Sequence, residues 1–330
     1  MKLSIVFQGS LSHIKTRPQQ DSFKRNLTFL KEKNPGCEII ISTWEGEKSS
    51  YLNPLVNKII YSKDPGPLPG LKFDNKLNNV NRLIVSSCAG VAAARGEYIV
   101  KLRTDLEFYM EDIVGFYENE TNKYSQLEPD VFSKKMICTN LFTIDPRFIE
   151  RMPYHISDWI QIGFSPDLKK YWNIKNYELD DALYYNFNKH NKGSNEFEIQ
   201  FQSRYAAEQY LTVSGCRNFG HEIPLRNHND FDDKKISEFY SFLSHNYIIR
   251  DTSSLKLINE KYRPILKSVL YKLICINESR FEKIYTYVLK DSKFDYYGKS
   301  LSFLINQVLL LKKINNRIRF ALYIIKRVFN

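Results

Sequence analysis

The sequence predicts an α/β fold, a doubly wound and mostly parallel sheet flanked by helices, continued by a helical C-terminal region. Three observations carry that expectation. Short apolar, β-branched runs alternate with segments of helical periodicity through residues 3–102, the pattern of parallel strands joined by crossover helices. Hydrophobic residues make up 43% of the 330, with 22 Tyr and 22 Phe, which is enough for a sizeable core and too apolar for a disordered chain. Finally, the formal charge of +11 is uneven: seven Lys/Arg and no acid fall after residue 295, so the rest is only mildly basic.

Leu3-Ser4-Ile5-Val6-Phe7 reads as a buried strand ended by Gln8-Gly9-Ser10. Residues 20–34 read as a helix with Phe23, Leu27 and Leu30 on one face, stopped by Pro35-Gly36. Glu38 to Thr43 and Lys58 to Tyr61 are the second and third strands, and Pro65-Gly66-Pro67 with Pro69-Gly70 makes a loop. A second helix covers 78–95, with Gly96 as its C-cap, and Glu97 to Leu102 is the fourth strand. The pattern continues more weakly through Met136 to Phe142. Residues 186–197 form an exposed loop, and the chain turns helical after about residue 235. The five cysteines are scattered, with no CxxC or Cys/His cluster, and read as buried thiols of a reducing compartment. Leu3 to Phe7 is too short for a signal-peptide core, and no stretch reaches the roughly 18 apolar residues of a membrane span.

In such sheets ligands bind at the carboxyl ends of the strands. That rule nominates Gln8 and Gly9, then Thr43 and Trp44 with Glu45-Gly46, then Arg103, Thr104 and Asp105. The most informative stretch joins Asn81 and Arg82, at the start of a helix, to Lys101-Leu102-Arg103-Thr104-Asp105, where a buried strand delivers an acid into solvent. A departing diphosphate needs its charge neutralised, by a divalent cation held on carboxylates or by Lys and Arg. Asp105 is the candidate metal ligand. Arg82, Lys101 and Arg103 are candidates for phosphate oxygens, and strand alternation puts Lys101, Arg103 and Asp105 on one face. An ion pair at a strand end is the plainer alternative, and Trp44 suits either a nucleotide base or simple packing.

Ile5-Val6-Phe7-Gln8-Gly9, Ile40-Ile41-Ser42-Thr43-Trp44-Glu45-Gly46, Asn81-Arg82, Lys101 to Asp105, Ser157-Asp158-Trp159 with Gly163, and Glu208-Gln209-Tyr210, in this order and spacing, resemble the WavE lipopolysaccharide-synthesis family over roughly residues 1–250. The resemblance implies a glycosyltransferase-A-like (GT-A, Rossmann-like) catalytic domain over 1–250. Its donor half would be about 1–110 and its acceptor half about 111–250, followed by a helical, basic, amphipathic region over 251–330. It further implies a nucleotide-sugar donor, a divalent metal (Mn²⁺ or Mg²⁺) near Asp105, and a glycan or lipid-linked glycan acceptor of lipopolysaccharide, lipooligosaccharide or capsule. The usual Asp-x-Asp metal motif of that fold is incomplete, because Arg103 stands at its first position.

Two acids follow on the acceptor side. Asp158 is a candidate base for the acceptor hydroxyl, with Trp159 to stack on a sugar ring; equally, Ser157 or Asp158 can cap a helix and Trp159 be core. Glu208, at a helix start, is the rival base, and His221 and His228 are the loop histidines available as a further metal ligand. Nucleotidyl or phosphoalditol transfer on the same fold is the alternative reaction. A non-catalytic nucleic-acid binder would need bases interleaved with aromatics over one face, which the donor half lacks. Residues 299–329 instead alternate apolar groups with Lys312, Lys313, Arg317, Arg319, Lys326 and Arg327. That is the composition of an interfacial helix, and the expectation is a cytoplasmic enzyme peripheral to the inner membrane; a helix packing its apolar face on the catalytic domain or on a second subunit is the plainer alternative.

Overall fold

The computed structural model describes residues 1–74, 76–259, 262–266, 268, 271 and 274–291. The basic segment 299–329 lies outside the described residues. Four strands, β1 (Leu3–Gln8), β2 (Glu38–Trp44), β3 (Lys58–Ser62) and β4 (Tyr98–Arg103), alternate with helices α1 (Arg17–Lys33) and α2 (Val80–Ala93). A short strand β5 (Glu107–Phe108) and helix α3 (Ile113–Lys123) lead to β6 (Met136–Thr139), β7 (Ile160–Phe164) and α4 (Ser165–Tyr171). Short helical turns α5 (Leu179–Ala182) and α6 (Tyr184–Phe187) precede α7 (Ala207–Arg217) and α8 (Asp233–Asn246). The described chain ends with β8 (Tyr247–Arg250), β9 (Leu257–Ile258), α9 (Arg263–Leu266) and α10 (Glu278–Leu289).

The sheet has seven strands in the order β3-β2-β1-β4-β7-β6-β8. β1 pairs in parallel with both β2 and β4, β2 with β3, and β6 with β8; β7 runs antiparallel to both its neighbours. The strands are apolar on both faces because helices cover both: Ile5, Val6, Phe7, Ile39, Ile40, Ile41, Ile99, Val100 and Leu102 are all fully buried. Thr16 and Gln19 form a capping box at the start of α1, whose stripe of Phe23, Leu27 and Leu30 is buried as the periodicity requires. α2 crosses so close to the sheet that a Cβ on Gly90 would lie 2.6 Å from Val6 Cγ1.

Several elements differ from the sequence expectation. α2 ends at Ala93 with Ala94 as its cap, so Gly96 is no C-cap. It is glycine because a Cβ there would meet the Ser4 backbone nitrogen at 2.5 Å. β7 is a strand where only isolated motifs stood out. Its Gln161 and Gly163 disguise a buried element in which Gln161 accepts a 2.7 Å hydrogen bond from Trp172 Nε1. After residue 235 the chain is helical in α8 and α10, but β8 completes the sheet between them. β9 pairs with β5, and α10 packs against α8 and β8, so these two elements continue the packing of the sheet unit. All five cysteines are free thiols; four are buried and Cys88 is partly so.

Candidate active site

The carboxyl ends of β1, β2 and β4 lie side by side, because these strands are adjacent and parallel. At the first, Gln8 turns inward and accepts from Ser86 Oγ at 2.7 Å. Gly9 adopts φ +115°, which a side chain would strain, and its N–H donates to Ser42 O at 2.9 Å. The β1 and β2 loops are stapled by Glu47, whose carboxylate accepts from Ser10 Oγ, from Leu11 N at 2.5 Å and from Thr43 Oγ1 at 2.6 Å. Thr104 Oγ1 ties the β4 end to the same rim by donating to Ser10 O at 2.8 Å.

Beyond β4 the chain folds Asp105 back on Arg103. Arg103 Nε donates to Asp105 Oδ1 at 2.8 Å and Nη2 to Oδ2 at 2.6 Å, a bidentate fork. The guanidinium carbon lies 4.2 Å from the centre of the Trp159 ring and 5.9 Å from that of Tyr262. Asn259 holds this arrangement from above, donating to Asp105 O at 2.8 Å and accepting from Tyr262 N at 3.0 Å. Burial alone would lower the Arg103 pKa, but the Asp105 hydrogen bonds and charge, with Asp158 behind them, raise it overall, so the group stays a cation.

Two other ion pairs sit beside this one. Lys101 is fully buried, and its ammonium donates to Asp158 Oδ2 at 3.0 Å and Asp158 O at 2.6 Å, over the Trp172 ring. Burial pushes the Lys101 pKa down and Asp158 offsets part of that. At the start of α7, Glu208 Oε2 lies 3.3 Å from His155 Nε2. The other ring nitrogen, Nδ1, is 2.8 Å from Phe142 O. A carbonyl only accepts, so Nδ1 donates to it and Nε2 is the ring nitrogen that faces Glu208. Burial raises the Glu208 pKa; His155 opposes this, Asp158 adds to it, and Arg103 opposes it, so Glu208 senses the charges of the other two pairs.

The structure thus brings Lys101, Arg103, Thr104, Asp105, Asp158, Trp159 and Glu208 to one end of the sheet, but with different partners from those expected. Lys101 has no exposed surface with which to meet a phosphate. Asn81 is buried and clasps Tyr177, donating to its carbonyl at 3.1 Å and accepting from its N–H at 2.6 Å. Arg82 forks onto Asp64 at 2.8 and 2.7 Å on the loop side of α2. Trp44 is packed away, only 8% exposed, at the β2 end. His221 stacks on Phe242, and His228 is buried against Phe201 with Tyr185 and His190 nearby. Sequence reasoning missed Glu47, His155, Asn259 and Tyr262; Glu47 stands next to the Thr43–Gly46 stretch but its partners Ser10 and Leu11 are remote, and the other three lie far in sequence from the groups they support.

A divalent metal does not fit the donor set. Both carboxylate oxygens of Asp105 are engaged by Arg103, and among the described residues no group of three or more His, Cys, Asp or Glu is placed to hold a metal ion. Among the described residues no helix is long and apolar enough to cross a membrane.

A family model described as WavE lipopolysaccharide synthesis matches residues 3–269. No curated protein matches. Among solved structures the chain is similar to TarS of S. aureus, at 9% identity and TM-score 0.34, covering 73% of this chain and 38% of that one. It is similar to mouse xyloside xylosyltransferase 1, at 10% identity and TM-score 0.35, covering 82% and 93%. HddC from Yersinia pseudotuberculosis follows at 13% identity and TM-score 0.27, covering 51% and 79%. The matched region thus spans little more than a third of TarS, and likenesses this distant do not bear on what the chain binds.

Proposed function

We propose that this chain, which belongs to the WavE lipopolysaccharide-synthesis family, is a GT-A-like glycosyltransferase. It moves a sugar from a nucleotide-activated donor to a hydroxyl of a lipopolysaccharide, lipooligosaccharide or capsule glycan. The observation that carries this reading is the meeting, at the carboxyl end of the sheet, of a fixed cation at Arg103 with a partly buried carboxylate at Glu208 set against His155 Nε2. Crevices at that end are where open α/β sheets bind ligands.

The chemistry follows from what each group has left to offer. Asp158 already neutralises Lys101, and that buried pair fixes the turn presenting Trp159, so Asp158 positions the site. Glu208 is the group placed to take a proton. As the acceptor oxygen forms its bond to the anomeric carbon, its proton passes to Glu208. The bond from that carbon to the donor's phosphate oxygen breaks, and its electron pair leaves with the nucleotide, a nucleoside diphosphate for UDP-, CDP- and GDP-linked donors. Arg103 faces the charge that develops there, while Gly9, with no side chain, leaves the β1 end open to a close-lying ligand.

The test is a panel of UDP-, CMP-, CDP- and GDP-linked sugars, read by thermal shift and by slow donor hydrolysis. One donor class should raise the melting temperature, and Glu208→Gln should keep that binding while losing transfer by about 10²–10⁴-fold, the usual worth of a general base. A protein that binds none of the panel, or a Glu208→Gln variant with normal turnover, overturns the reading.

A further inference from the structure

Each carboxylate at the proposed site has a basic side chain of its own. Asp105 has Arg103, Asp158 has Lys101 and Glu208 has His155, at contacts between 2.6 and 3.3 Å. A divalent ion in a phosphate-transfer site is held by one or two bare carboxylates at about 2.0–2.6 Å and completed by waters and substrate phosphates. Here the sequence position that would supply one such oxygen is Arg103, and its guanidinium occupies both oxygens of the next acid.

We infer that Arg103 is the fixed cation that stabilises the departing diphosphate, doing without a divalent metal, and that Asp105, Trp159 and Tyr262 are the clamp that aims it. The inference rests on the glycosyl-transfer reading and narrows it to a metal-independent one. Asp105 then binds no metal and is a positioning residue. Its fork consumes Nε and Nη2 of Arg103, while Nη1 meets no acceptor among the described residues and remains for a phosphate oxygen. The Trp159 face at 4.2 Å sets the guanidinium plane, so its donors need no reorganisation when charge develops. The side chain is 27% exposed, enough for a ligand to reach it.

Inorganic pyrophosphate is the first probe and the donor identified in the panel the second, each titrated calorimetrically into full-length protein stripped with EDTA and then supplied with Mn²⁺ or Mg²⁺. Binding should persist in EDTA and change less than about threefold on adding metal, a difference under 1 kcal/mol. Arg103→Ala should weaken it about 10- to 100-fold, the worth of a charge-assisted hydrogen bond, with Arg103→Lys in between. Asp105→Asn, which loosens the clamp but leaves the cation, should lower turnover more than affinity. Arg103→Asp completes an Asp-x-Asp motif and should make binding depend on Mn²⁺. Melting curves and near-UV spectra of every variant separate loss of binding from loss of fold. Wild-type binding or transfer that EDTA abolishes and Mn²⁺ restores overturns this inference while leaving glycosyl transfer standing. An absence of binding for pyrophosphate and every donor, with or without metal, removes both.

Discussion

The raised pKa of Glu208 sets the expected pH behaviour of the site. Burial raises the Glu208 pKa and His155 holds part of that rise back. A general base works deprotonated, so the acid limb of kcat/KM should lie above the ordinary glutamate range of about 4.3. His155→Gln removes the group that pulls the value down. The limb should therefore move to higher pH, with the plateau rate less affected; a limb that stays put in a pH–rate profile removes Glu208 from the base role. The neighbouring Lys101–Asp158 pair is structural by the same logic of burial. Lys101→Met would leave Asp158 charged and nearly enclosed, a change worth about 3–5 kcal/mol in a buried pair, and should show as an early urea midpoint. These partnerships were only half legible in sequence. Asp105, Asp158 and Glu208 announce themselves as acids near strand and helix ends. Asp105 is paired locally, with Arg103 two positions before it, but the partners of Asp158 and Glu208, Lys101 and His155, lie far away in sequence and are brought close only by the fold.

At the scale of elements, β1, β2 and β4 were readable because each is a largely apolar run buried on both faces, as parallel strands covered by helices are, and the edge strand β3 by its shorter Lys58–Tyr61 run. β7 was not, since its Gln161 and Gly163 break the apolar run while serving buried partners. Gly90 tests how closely α2 rides on the sheet. Gly90→Ala would place a methyl 2.6 Å from Val6 Cγ1 and 2.9 Å from Ser42 Cβ, and overpacking of that kind costs about 1–3 kcal/mol. The melting temperature should fall even though alanine is the better helix former. The segment carrying His228 offers an acid-sensitive counterpart. Burial, then the charge of His190, lowers the His228 pKa to about 3. The unfolded chain takes up that proton near pH 6.5 and the folded one does not. Stability is therefore undiminished above the unfolded value and drains as pH falls from 6.5 toward 3, by up to about 1.4 kcal/mol per unit. His228→Phe, which keeps a ring on Phe201, should flatten the loss of stability between pH 7 and pH 4 measured by urea unfolding. An unchanged slope would place the acid sensitivity elsewhere.

For the whole molecule, charge is divided between two regions with different tasks. Residues 1–295 carry a modest excess, because the formal +11 includes seven Lys/Arg beyond residue 295, and inside the sheet unit cations are matched one to one with acids around the site. An enzyme so neutralised has little long-range pull on an anionic surface. The stretch 299–329 contains no acid of its own: Lys312, Lys313, Arg317, Arg319, Lys326 and Arg327 lie among leucines and isoleucines. We propose that it docks the enzyme on the inner face of the inner membrane, beside a lipid-linked acceptor. Each base near an anionic bilayer contributes about 1 kcal/mol, so six suffice to hold a protein whose apolar residues add to the hold. The full-length protein should sediment with liposomes containing anionic lipid and not with neutral ones, and salt should release it as the Debye length shrinks toward about 3 Å near 1 M. Replacing the six bases with Gln in the full chain should abolish sedimentation while leaving donor binding intact, because the sheet unit and its ion pairs are untouched. A chain that ignores anionic liposomes at low salt has no membrane dock in this segment. A Gln variant that loses donor binding instead assigns the segment to the packing of the catalytic unit.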